Sequence, residues 1–249
     1  MNIRVPEQAR FVRVVPSGDK ESLPGRIYIG DEFCERRLPS DEMLSWLERR
    51  VPAGVEGVTL MTPFLTDKGL ARAEKVLERL SRVLCEGFEV VVNDLGMLEL
   101  LRQRGYPGAR AVCGRILSSR YMSYNEFPDE FLQFLDEHRM RRIELNSVEH
   151  LRATHRALRE RGIGTHFHWP YMYLTVTRYC ATDTGFAGYP RDSIASCRRG
   201  CERFLGVNSA QGAPGIVFFA NASMVRHEGL TAPPLEADRV VYDGIPLGL

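Results

Sequence analysis

Short apolar runs alternate with amphipathic stretches from residue 26 to residue 177, and this rhythm restricts the fold more than any other feature of the chain. "RIYIG" (26–30), "EGVTLMTP" (56–63), "FEVVVNDL" (88–95), "ARAVCGRIL" (109–117) and "RRIELN" (141–146) each read as a strand. "SDEMLSWLERRV" (40–51), "TDKGLARAEKVLERLSRVL" (66–84), "GMLELLRQRG" (96–105), "FPDEFLQFLDEHR" (127–139) and "SVEHLRATHRALRERG" (147–162) read as helices. Ser40 caps the first of these, Thr66 or Asp67 the second, and Gly105 closes the third. "GIGTHFHWPYMYLTVT" (162–177) is extended.

Strands separated by helices at this interval predict parallel βαβ units, five or six of them. No G-x-G-x-x-G follows the first strand, so a Rossmann nucleotide site is not expected. The expected fold class is α/β: a (β/α) barrel-like domain, complete or incomplete, spanning 1–249, with a doubly wound open sheet as the alternative. After about residue 178 the rhythm stops. Residues 178–205 form a cysteine-bearing segment inside the same domain, and "PGIVFFANASMVRHEG" (214–229) adds one or two late strands. The tail "TAPPLEADRVVYDGIPLGL" is expected to be irregular.

The opening residues carry no apolar h-region, and no apolar run approaches the ~20 residues that a membrane span needs. A cytoplasmic protein is expected. The net charge of +1 projects no general basic field toward nucleic acid. "HRMRRIE" and "HLRATHRALRERG" are locally basic, but helical charge at this spacing is usually a solvated face, and no aromatic RNA-binding motif accompanies them.

In a reducing compartment, clustered cysteines point to metal ligation or catalysis before disulfides. Of six cysteines, Cys85 at a helix–strand junction and Cys113 in the apolar run "RAVCGRI" read as buried thiols. Cys34, Cys180, Cys197 and Cys201 lie in polar or loop-like contexts. Cys197 and Cys201 stand four apart in "SCRRGCERF", a spacing that puts both on one face of a helix. Arg178, Arg198, Arg199 and Arg203 favour thiolates there. Four thiolates suit tetrahedral zinc or a 4Fe–4S cluster, while buried thiols and a catalytic cysteine remain alternatives.

"IYIGDEFCERR", "VTLMTPFLTDKGL", "VVVNDLGML" and "YLTVTRYC…SCRRGCERF", in this order, resemble the collagenase-like peptidase family, and within it the UbiU- and UbiV-like members, UbiV-like above all. The likeness covers most of residues 27–205. It implies a barrel-like α/β domain whose 4Fe–4S cluster is bound by Cys34, Cys180, Cys197 and Cys201. It implies a subunit of an oxygen-independent hydroxylation system, as in ubiquinone biosynthesis, paired with a paralogous family member as a heterodimer. A small aromatic substrate is the expected ligand. The family's alternatives are a non-catalytic, metal-stabilised partner, an RNA-modifying enzyme and a peptidase. Peptidase chemistry lacks support in the residues, since there is no H-E-x-x-H, G-x-S-x-G or Cys-His motif.

In either fold the working residues belong at the carboxyl ends of the strands. Glu144, Arg115, His166 and His168 fall there and are the catalytic candidates. The two histidines, two apart on a strand, point to one side of it. Asn93 and Asn146 fall at strand ends as well, whereas Asp94 and Ser147 read as helix caps.

Overall fold

The structure is a computed structural model, and it describes residues 5–12, 25–51, 55–84, 87–122, 126–177, 205–207 and 215–243. Eight parallel strands close into a barrel: β1 (Glu7–Val12), β2 (Arg26–Gly30), β3 (Gly57–Met61), β4 (Phe88–Val92), β5 (Ala109–Cys113), β6 (Arg142–Leu145), β7 (Gly164–Trp169) and β12 (Arg239–Tyr242). Neighbours follow chain order from β1 to β7, and β12 inserts between β7 and β1 to complete the ring. The barrel therefore closes. It holds more strands than the rhythm announced, because β1 and β12 escape it. β12 also corrects the reading of the tail as irregular. "RVVY" supplies only four residues, yet it pairs with β1 at Glu7↔Arg239 and with β7 at Arg239↔His166.

Helices α1 (Asp41–Arg50), α2 (Asp67–Val83), α3 (Leu95–Arg104), α4 (Arg115–Tyr121), α5 (Asp129–Glu137) and α6 (Val148–Glu160) surround the strands. α2 shows why. Ala73, Val76, Leu77 and Leu80 recur at helical spacing and are buried against the barrel wall. Its N-cap Thr66 accepts from Gly69 N at 3.1 Å, a cap of about 1 kcal/mol. Asp94 and Ser147 cap α3 and α6 in the same way. The run expected as one strand over 109–117 divides at Gly114, beyond which α4 begins. A Cβ on Gly114 would stand 2.1 Å from Asn93 Oδ1, the atom that accepts from Ile116 N. The tight turn from strand to helix thus needs glycine. Among the described residues no helix is long and apolar enough to cross a membrane.

Between β7 and β12 the chain builds a second sheet. β8 (Tyr171–Val176), β9 (Leu205–Val207), β10 (Ile216–Phe219) and β11 (Ala222–Arg226) pair antiparallel in the order β8-β11-β10-β9. This sheet covers the carboxyl end of the barrel. Tyr171, Val217, Phe219, Ala222 and Met224 pack on Phe33, Cys34 and Ile116, which follow β2 and β5.

The barrel interior is stratified. Its middle layer is apolar: Ala9, Phe11, Tyr28, Met61, Val91, Val112 and Val241. Charged groups lie on either side of that layer, so the two ends of the barrel are chemically separate.

Candidate functional site

The carboxyl-end layer assembles five ionisable side chains under the cap sheet. Glu32 follows β2, Arg115 begins α4 after β5, Glu144 lies on β6, His168 on β7, and Asp243 follows β12. All five are buried, Arg115, Glu144 and His168 completely. Arg115 Nε donates to both oxygens of Glu32, at 3.0 and 2.9 Å, and its Nη2 also meets Glu32. Its Nη1 donates to Tyr171 O at 3.0 Å, which ties the cap sheet to the ion pair. The guanidinium lies over the rings of Phe33, at 5.5 Å, and Tyr173, at 5.8 Å.

His168 Nε2 stands 3.1 Å from Glu144 Oε2, and Nδ1 stands 3.6 Å from Asp243 Oδ1. Burial and Arg115 press this imidazole toward neutrality, but Glu144 and Asp243 outweigh them, and its pKa rises to about 9. Burial lifts the Glu32 carboxyl above its ordinary range against the pull of Arg115. Burial opposes the charge on Arg115 as well, yet Glu32 and Asp243 hold the guanidinium above its usual value.

The 3.1 Å approach of His168 to Glu144 lacks hydrogen-bond alignment. Both oxygens of Glu144, both nitrogens of His168 and Tyr171 Oη are buried without a hydrogen-bond partner. Leaving one such atom unsatisfied costs about 1–3 kcal/mol, so this layer is held together by opposed buried charges more than by aligned hydrogen bonds. Chemically it offers an imidazolium proton donor, two flanking carboxyl groups and a fixed guanidinium.

Three of the four sequence-named catalytic candidates, Glu144, Arg115 and His168, meet in this layer. His166 does not. It points into the barrel as its partner does, but two residues along a strand is about 6.6 Å, which carries it past the apolar layer. There its Nδ1 lies 3.3 Å from Tyr28 Oη and 3.4 Å from Arg239 Nη1. Burial first, then Arg239 and Arg142, drive its pKa well below the usual imidazole value. Arg239 also reaches Glu89 Oε1 at 3.2 Å and Glu7 Oε2 at 2.8 Å, forming a closed polar plug at the amino end.

Asn93 and Asn146 have structural work. Asn93 Nδ2 donates to Thr62 O at 3.0 Å, and Asn146 pins β8 by exchanging two bonds with the Tyr173 backbone, at 2.9 and 3.0 Å. Glu32, Asp243 and Tyr171 join the site without having been foreseen. "GDEFC" did mark Glu32 as a polar residue just past a strand, which is the usual place for such a group.

Cys34 lies two residues beyond Glu32 and is buried against the cap sheet at 7% exposure. Asp31 builds its loop by accepting from Phe33 N at 2.8 Å, Cys34 N at 3.2 Å and Arg37 Nε at 3.2 Å. Cys113 is fully buried in the barrel wall, where burial pushes its thiol pKa upward, as suits a packing residue. Cys85, Cys180, Cys197 and Cys201 lie outside the described residues, as do Arg178, Arg198, Arg199 and Arg203. Among the described residues no group of three or more His, Cys, Asp or Glu side chains is arranged to hold a metal. Compared with known protein families, curated proteins and solved structures, the chain matches none.

Proposed function

We propose that the chain is a UbiV-like iron–sulfur protein in which Cys34, Cys180, Cys197 and Cys201 bind a 4Fe–4S cluster. In this reading it is a subunit of an oxygen-independent hydroxylation system, works in the cytoplasm beside a paralogous partner, and receives a small aromatic substrate at the carboxyl end of its barrel.

One topological observation carries the reading. Val176 at the end of β8 pairs with Ala222, Phe219 pairs with Ala222, and Leu205 at the start of β9 pairs with Phe218. The end of β8 at Val176 and the start of β9 at Leu205 therefore lie along the same edge of the cap sheet, three strand spacings apart, roughly 14 Å in all. That edge packs on Cys34 through Phe219, Ala220 and Ala222, and Arg37 lies 5.0 Å from the centre of the Phe219 ring. The span between these two anchors contains Cys180, Cys197 and Cys201. A thiol packed at the edge that flanks a three-cysteine span of the sequence fits a four-thiolate site, and thiolate chemistry favours iron–sulfur or zinc over a hard cation.

When bound, such a cluster supplies one-electron transfer. The rest is work for the chain's own side chains. The cap sheet excludes water from the layer below it. Arg115, fixed by Glu32 and Tyr171 O, presents a positive charge to an oxygen atom of the substrate. His168 holds a proton between Glu144 and Asp243, ready for a departing or developing oxyanion.

Anaerobic purification with iron and sulfide analysis tests the reading, on wild type and Cys197→Ala. About four irons per chain with a broad absorbance near ~400 nm, lost in the variant, is the expected result. A colourless wild type without iron overturns it, and stoichiometric zinc in its place moves the site to structural metal.

A further inference from the structure

The barrel wall has one weak seam. β4 and β5 pair at five positions from Phe88↔Ala109 to Val92↔Cys113, whereas β5 and β6 share only Cys113↔Ile143. Below that pair the strands part, and a cavity of about 660 Å³ opens between β5, α3 and the loop after α5. It reaches the barrel interior, since Glu89 and Val112 line it. Its volume is that of a small-molecule site. It opens toward the amino end, across the apolar layer from the carboxyl-end cluster.

The lining divides into two chemistries. Leu98, Leu101, Tyr106 and Val112 give an apolar wall. Arg102, Arg110, Arg139, Arg141 and Arg142 give the rim, opposed by Glu89 and Glu137. Arg142 is engaged with Glu89 at 2.8 Å, Arg141 pairs with Asp136, and Arg102 with Glu99. Arg110 and Arg139 form no ion pair among the described residues. Arg139 further occupies the second position beyond α5, after the C-cap His138, at φ 53°, a left-handed position that favours glycine. Met140 N bonds Leu135 O at 2.8 Å, which closes the α5 end around it. Here the chain accepts a strained backbone and places a guanidinium at the mouth.

We propose that this cavity binds a small organic oxyanion, a phosphate or carboxylate head held by Arg110 and Arg139 with an apolar body against Leu98, Leu101 and Tyr106. The inference is independent of the iron–sulfur reading.

Titration calorimetry with phenyl phosphate, phenylacetate and inorganic phosphate, on the intact chain, tests it. Arg110→Gln and Arg139→Gly are the variants, and the second relieves backbone strain, so loss of folding cannot explain loss of binding. Phenyl phosphate or phenylacetate should bind more tightly than inorganic phosphate and weaken roughly tenfold in each variant. Whichever phenyl probe binds better identifies the head group. No saturable binding of either phenyl probe up to the millimolar range, or binding at the wild-type level in both variants, overturns the proposal. So does inorganic phosphate binding as well as phenyl phosphate, or a short single-stranded RNA displacing it at far lower concentration.

Discussion

The imidazole of His168 lies 3.1 Å from a carboxylate oxygen of Glu144, and both side chains are shut off from solvent. Water cannot screen this contact, so the charge on His168 is coupled to the stability of the barrel. Its folded pKa of about 9 exceeds the unfolded value. The contribution is complete below about pH 6.5 and is lost as pH rises toward 9. Urea unfolding of wild type at both ends of that window should show a loss on the order of 2–3 kcal/mol from this group. In His168→Gln that slope should flatten.

His166 carries the opposite sign. Its folded pKa lies well below the ordinary imidazole value, so the unfolded chain binds the extra proton. Its contribution is present above about pH 6.5 and disappears as pH falls below it. The difference in unfolding free energy between wild type and His166→Asn should therefore change on the acid side, where His168→Gln leaves the slope unaltered.

Arg239 holds the amino-end plug together. It is fully buried, and Glu89 beside it keeps a pKa below the ordinary carboxyl value, with burial opposed chiefly by Arg239. Removing one partner of a buried pair costs about 3–5 kcal/mol. Arg239→Met should lower stability by about that amount in chemical denaturation. Arg239→Lys should restore only part of it, since an ammonium cannot serve Glu7, Glu89 and Tyr28 Oη at once.

The alternation of strand and helix was legible because each element buries an apolar face that recurs with its own period, as in α2 and β4. The charged interior was not. A binary pattern assigns polar residues to solvent, whereas Arg239 and Glu89 face inward and bond each other at one end of the barrel, and Glu144 faces inward beside His168 at the other. β12 offers four residues behind a proline-rich stretch, too few for periodicity to register, and Asp243 was missed with it. His166 and His168 read alike in sequence because strand parity gives only the side of a strand. Their difference arises from depth along the barrel, fixed by the register of β7 with β12 and β6.

The central claim is that Cys34 is a cluster ligand while Cys113 is a packing residue, and iron and sulfide content measured after anaerobic purification of Cys34→Ala and Cys113→Ala tests it most directly. The account predicts wild-type iron and a retained band near ~400 nm in Cys113→Ala, with both lost in Cys34→Ala although that chain still folds. Iron and sulfide at the wild-type level in Cys34→Ala would contradict it.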